Sequence, residues 1–243
     1  MSVLAIDAGN SRIKWALHDG DRWTERGTVS TAQAEELRAA FAKLAPPARI
    51  VISNVAGEES AQHVAAAVAS FGVEPSWVVS SAEQCGVRSS YAEPARLGPD
   101  RWAALIAARN LGDGPCVVVN AGTTMTVDAL SADGIFLGGF IVPGYELMRD
   151  ALARSTAHLK RQDGAFSFFP DATGDAIASG ALNALAGAIE RMTDYLTQTA
   201  GTEPMIVLSG GDAEQIEPLL SGRARVVDNL VLEGLLRIGA NDV

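Results

Sequence analysis

Cysteine and histidine are scarce in this 243-residue chain, and their scarcity removes several chemistries at once. Two cysteines, Cys85 and Cys116, make no disulfide framework and lack metal-ligand spacing. Three scattered histidines, His18, His63 and His158, favour neither a zinc site nor a Ser-His-Asp hydrolase. Basic residues are also few: 19 Lys and Arg against 29 Asp and Glu leave a net charge of -10, which repels a nucleic-acid backbone. Any phosphate handled here must be held locally. No apolar run approaches the ~18 residues of a membrane span. The first residues, Met1 to Asp7, lack a basic segment followed by a long apolar stretch, so no secretory signal is visible and a cytoplasmic location is expected. What remains is a globular composition, long enough to bury a core as one large domain or two lobes.

Residues 3–8 read as a buried strand, and Arg12 to Leu17 as a second, with Ile13 and Trp15 on one face and Arg12 and Lys14 on the other. Gly9 turns the chain between them. Helical spacing of Ala34, Leu37, Phe41 and Leu44 stops at Pro46-Pro47, because proline lacks the N–H for the next hydrogen bond. A strand near Ile50-Val51-Ile52, a helix carrying Val64, Val68 and Phe71 that stops at Gly72, and a strand at Trp77-Val78-Val79 follow. The second half begins again at Cys116–Val119, turns at Gly122 and returns along Met125 to Leu130. Laid over the first half without a gap, it puts Asn120 on Asp7, Ala121-Gly122 on Ala8-Gly9, Thr123 on Asn10, Thr124 on Ser11 and Ala129-Leu130 on Ala16-Leu17. Two apolar hairpins can match this way by chance, but each of these heads an α/β half. A strand at Phe136-Leu137-Gly138, helices at Tyr145–Leu159 and Asp175–Thr199, a strand at Met205–Leu208 and a last helix at Asn229–Ile238 complete the chain. The expected division is 1–112 and 113–243. No Ser/Gly linker separates the halves, so they are expected to pack closely.

A strand that ends in Asp7-Ala8-Gly9-Asn10 can bring backbone N–H groups to phosphate oxygens, glycine permitting the close approach. Asp7 suits Mg²⁺, while Asn10, Ser11 and Lys14 suit phosphate oxygens. An ordinary hairpin turn would use Asp and Asn too. Two such turns heading two halves point instead to a polyphosphate clamp. Leu208-Ser209-Gly210-Gly211-Asp212 is a strand-to-helix turn that would let an adenosine lie against backbone, or a plain connection. Gly98-Pro99-Asp100-Arg101 opens a helix through Trp102, Leu105 and Ile106, as Pro and Asp commonly do. In the functional alternative Asp100 takes the proton of a substrate hydroxyl, while Arg101 and the helix N-terminus hold an anionic group. The glycine-rich run Gly138-Gly139-Phe140-Ile141-Val142-Pro143-Gly144 reads as a strand-to-helix connection, either a backbone wall beside a substrate or a stiffened turn.

In this order the segments resemble a type III pantothenate kinase, over most of the chain. The match is carried by Asp7-x-Gly9-Asn10-Ser11-x-x-Lys14, Gly98-x-Asp100-Arg101, Gly122-Thr123 with Thr126, Gly138-Gly139-x-Ile141-x-Pro143-Gly144 and Ser209-Gly210-Gly211-Asp212. The resemblance implies an α/β fold of the duplicated ribonuclease H-like, actin-like ATPase type, two lobes with mixed sheets flanked by helices. It implies ATP-dependent phosphorylation of pantothenate, the first step of coenzyme A synthesis, by a homodimer using Mg²⁺ and a monovalent cation, K⁺ or NH₄⁺. Asp7, Ala8, Gly9, Asn10, Ser11, Arg12, Ile13 and Lys14 would form the ATP-phosphate loop, with Thr123 a second ATP contact. Asp100 would be the general base, and Tyr91, Gly98, Pro99 and Arg101 would surround pantothenate. Thr173 would reach the substrate from the neighbouring subunit, and threonine also suits a helix N-cap. Asn120 stands where the family usually has an aspartate, the expected ligand of the monovalent cation. A neutral amide is a poorer partner for K⁺. Two alternatives use the same fold: another small-molecule kinase, and a non-catalytic regulatory protein.

Overall fold

The computed structural model describes residues 1–156, 159 and 161–241, which leaves His158 outside. It divides into two compact units, Met1–Leu111 with Asn229–Val243, and Gly112–Asp228.

In the first unit the apolar run Val3–Ala8 forms β1, buried from Val3 through Ile6. Beside it lie β2 (Arg12–His18), β3 (Trp23–Ser30), α1 (Leu37–Phe41), β4 (Arg49–Asn54), α2 (Glu58–Val68) and β5 (Ser76–Trp77). The sheet order is β3-β2-β1-β4-β5, in which β2 pairs antiparallel with both β3 and β1, while β4 pairs parallel with both β1 and β5. One face carries Leu4, Ile6, Ile13, Leu17, Ile50 and Ile52 against Leu37, Phe41, Val64 and Val68. Each such side chain withdrawn from water contributes about 1.5–3 kcal/mol. Trp15 meets Phe41 edge-on at 5.5 Å.

Three expectations change here. The segment over 34–44 is a 3-10 stretch, Thr31–Glu36, followed by the short α1, and Gln33 has left helical geometry. The strand at 77–79 shrinks to Ser76–Trp77. β3 has no counterpart in the sequence reading, because an edge strand with exposed Thr24, Glu25 and Arg26 has no apolar run to announce it. A small hairpin then joins β6 (Glu83–Gln84) to β7 (Val87–Ser89). Cys85 at φ 49° and Gly86 at φ 78° form its two-residue turn. α3 (Pro99–Arg109) starts where Gly98 and Pro99 predict, and is buried from Arg101 to Ala108.

The second unit repeats the plan. It holds β8 (Cys116–Ala121), β9 (Thr124–Leu130), β10 (Ile135–Pro143), α4 (Tyr145–Ser155), α5 (Thr173–Ala200), β11 (Met205–Ser209), α6 (Ala213–Ile216) and β12 (Ala224–Val226). Its strands run β10-β9-β8-β11-β12, the order and directions of β3-β2-β1-β4-β5. The duplication is therefore one of topology. Val117, Val119, Met125, Val127 and Leu208 bury one sheet face under Leu182, Leu185 and Ile189 of α5.

Register corrects the gapless overlay. Asp7 pairs with Lys14 and Ala8 with Ile13, but Asn120 pairs with Thr126 and Ala121 with Met125. The second turn is one residue shorter, so Lys14 corresponds to Thr126, and Ala129-Leu130 do not correspond to Ala16-Leu17. A one-residue slip reverses every side chain's face. The run from Gly138 to Pro143 is strand β10 itself, bulged between Phe136 and Gly138, and Gly144 caps the next helix. α4 ends at Ser155, before the expected Leu159, since Thr156 turns extended and its hydroxyl donates to the Leu152 carbonyl. Positions 157 and 158 of that expected helix lie outside the described residues.

The last helix, α7 (Leu230–Asn241), lies with the first unit although chain order assigns it to the second half. It packs on α3, β1 and β4. A β-carbon on Gly234 would overlap the Ala103 carbonyl, and one on Gly239 would press on Val51.

Candidate active site

In the first unit, Asp7 and Lys14 face each other across β1 and β2, either side of the glycine turn. The turn closes on itself: Gly9 N–H donates to the Arg12 carbonyl at 3.1 Å, while the Thr31 hydroxyl donates to the Gly9 carbonyl at 2.7 Å. Gly9 thus shapes the loop and has no N–H left for a phosphate. Ala8 and Ile13 are fully buried in the core, so their side chains hold the loop from beneath. Asn10, Ser11 and Arg12 are exposed.

The Asp7 residue keeps some exposure, but its Oδ1 is sealed from solvent and has no hydrogen-bond partner. Burial, and secondarily the charge of Asp100, push its pKa up to about 7, opposed by Lys14 and by the proximity of the Ser53 hydroxyl. That proximity falls short of a well-formed hydrogen bond, since the Ser53 hydroxyl is also without a partner. Asp100 sits in the first turn of α3, and its carboxylate folds back over Gly98. Burial raises its pKa too, against the Arg101 N–H and guanidinium and its own N–H. Arg101 is buried and its Nη1 donates to the Tyr91 hydroxyl at 3.4 Å. Trp102, fully buried, donates its Nε1–H to Gln84 at 2.9 Å and so ties the start of α3 to the β6–β7 hairpin. Tyr91, Gly98, Asp100, Arg101, Asp7 and Lys14 are all held within this unit.

A buried, unpartnered carboxylate oxygen fits an octahedral Mg²⁺ that takes one or two protein carboxylates and keeps its other positions for phosphates and water. Among the described residues no group of three or more His, Cys, Asp or Glu could hold a metal by itself.

In the second unit the glycines of the sequence motifs converge. A β-carbon on Gly144 would overlap the Gly122 and Thr123 carbonyls, and one on Gly210 the Ala121 carbonyl. Gly144 N–H donates to Thr123 at 2.9 Å, and Asp212 N–H to Ala121 at 3.2 Å. Only glycine allows this approach, at Gly210 also because φ is 104°. Thr123 is exposed at the turn. Asn120 lies between Thr126 and Ser209 in the ladder, where its neutral amide is a poorer K⁺ ligand than the expected aspartate. Thr173 is exposed and is the first residue of α5; the cap is Ala172, which makes no side-chain bond, so the N-cap expectation for Thr173 is not met. Ser53 and Thr31 carry no signal in the sequence: Ser53 is merely the first polar residue after an apolar run until strand pairing sets it beside Asp7, and Thr31 is seen only through its hydrogen bond to Gly9.

A family model described as type III pantothenate kinase matches residues 3–195. A type III pantothenate kinase from Nitrosospira multiformis is 48% identical over 236 residues, covering 97% of this chain and 90% of that protein. One from Aromatoleum aromaticum is 48% identical over 240 residues, covering 99% and 98%. A glucokinase from an Antarctic psychrotroph, 13% identical, superposes with a TM-score of 0.54 over 99% of each chain, which speaks for the fold alone. The topology repeated in both units is that of the actin-like and sugar-kinase ATPases. With its full-length relatives and its matching family model, the chain belongs to the type III pantothenate kinase family.

Proposed function

We propose that this kinase transfers the γ-phosphoryl group of ATP to the primary hydroxyl of pantothenate, giving 4′-phosphopantothenate and ADP, the first step of coenzyme A synthesis. The observation that carries the reading is the Asp100–Arg101 pair at the start of α3, with Tyr91 against the guanidinium. A half-buried base beside a buried cation suits a hydroxylated small acid. Arg101 and Tyr91 hold the pantothenate carboxylate. Asp100, made more basic by burial, takes the hydroxyl proton as that oxygen bonds to the γ-phosphorus. The bond from γ-phosphorus to the bridging oxygen breaks, and ADP leaves with its electron pair.

Lys14, with Asn10 and Ser11, takes the ATP phosphates. Asp7 would hold Mg²⁺, which neutralises charge on the phosphates when bound. Thr123 contacts ATP and Thr173 reaches the pantothenate of a second copy, in a homodimeric, cytoplasmic enzyme, a reading that the family resemblance supports. Asn120 replaces the carboxylate expected at the K⁺ site, so no step here depends on that ion. An ADP-release assay of the purified protein with pantothenate, against sugars, acetate and glycerol, tests the reading. ADP with pantothenate alone is the expected result, and ADP only with another acceptor would overturn it.

A further inference from the structure

Ser53 lies near the end of β4, and the parallel ladder sets it beside Asp7 at the matching position of β1. In-register neighbours project to the same sheet face. Ser53 is completely buried, and its hydroxyl, like Oδ1 of Asp7, is sealed from solvent without a hydrogen-bond partner. A donor and an acceptor, both orphaned, therefore stand side by side at the head of the phosphate turn. Burying an unmatched hydroxyl is costly, and alanine would occupy the position without that cost. Ile50, Val51 and Ile52 are apolar, so after Arg49 at its start β4 turns polar again only at Asp7's level.

We infer that Ser53 is a positioning residue for this reaction: its hydroxyl donates to the Asp7 carboxylate and holds it in one orientation toward Mg·ATP. The inference rests on the assignment of Asp7 to magnesium. Residues that orient a metal-binding carboxylate are worth about 10- to 100-fold in metal affinity.

The test is calorimetric titration of ATP with and without Mg²⁺, beside steady-state kinetics and melting curves. The proteins are wild type, Ser53→Ala, Ser53→Cys, Asp7→Asn and the Asp7→Asn/Ser53→Ala double variant. Ser53→Cys, slightly larger than serine, leaves no cavity but donates poorly, which covers any packing defect in the alanine variant. Both Ser53 variants should lose about 10- to 100-fold in the Mg²⁺-dependent part of ATP affinity and in kcat/KM for ATP. Their KM for pantothenate should stay near wild type, and the ligand-free melting temperature of Ser53→Ala should not fall below it. The double variant should bind no more weakly than Asp7→Asn. Wild-type Mg²⁺-dependent affinity in the Ser53 variants, with loss in Asp7→Asn, overturns the role of Ser53 alone, as do losses that multiply in the double variant. Wild-type Mg²⁺ dependence in Asp7→Asn overturns the Asp7 assignment and the Ser53 role with it.

Discussion

Oδ1 of Asp100 lies 2.5 Å from the point where a β-carbon on Gly98 would stand. Gly98 has φ -55° and ψ 134°, a backbone conformation open to any residue, so glycine is needed there for space and not for conformational freedom. The missing side chain is what lets the Asp100 carboxylate fold back over the helix start.

Gly98→Ala should accordingly push the Asp100 carboxylate aside while leaving the fold intact. A fall of about a hundredfold in kcat/KM, the scale of a small misplacement of a reacting group, is expected. The melting temperature should move by no more than a few degrees. Steady-state kinetics and calorimetry read the two effects separately, and unchanged kinetics would show that the carboxylate works from another position.

Asp100→Asn removes the proton acceptor and keeps the shape. Turnover should drop by roughly 10²–10⁴-fold. ATP affinity, measured by titration, should stay close to wild type, because a base acts on the transition state. Near wild-type turnover would remove Asp100 from the mechanism.

Asp7 links function to stability through pH. Its pKa rises from 3.8 to about 7 on folding, so between those values the folded chain binds a proton that the unfolded chain releases. Stability from this group is fully present below pH 3.8 and is lost as pH rises through 7. Asp7→Asn, which cannot ionise, should therefore be more stable than wild type above pH 7, on the order of a few kcal/mol in ligand-free, Mg²⁺-free protein. The advantage should vanish near pH 4. Denaturant melts at several pH values check this; equal stabilities at pH 8 would contradict it.

With an amide at position 120, activity should depend weakly on K⁺. Titrating KCl at constant ionic strength should give a nearly flat rate, and Asn120→Asp should create a rising curve. Steep activation of the wild type would show that other groups hold the ion.

Tyr91→Phe deletes the hydroxyl against Arg101. Loss of one hydrogen bond to a charged group should raise KM for pantothenate about tenfold, with kcat little changed. A kcat effect as large as the KM effect would place Tyr91 in the chemical step.

Local chemistry made much of this protein legible in its sequence. Val3–Ile6 and Cys116–Val119 are apolar runs that must be buried strands, Gly98-Pro99-Asp100 starts a helix, and Gly72 at φ 66° closes the 3-10 turn Ala69–Phe71 that follows α2. Each of these depends on a residue's own conformational preference, or on a neighbour a few positions away. The order of the motifs sufficed to identify the family.

What required the tertiary structure was pairing between distant segments. β3 and the β6–β7 hairpin carry no apolar signal, since edge strands take their stability from a neighbour's hydrogen bonds. The gapless overlay failed because turn length is set by hydrogen-bond register, which residue identity does not encode. Gly138–Pro143 reads as a connection because its glycines hide a bulged strand. The approach of Gly144 and Gly210 to the second turn, and of Ser53 to Asp7, joins residues far apart in the chain. Side-chain type decided which groups could do the chemistry; the register of the two sheets decided which of them meet.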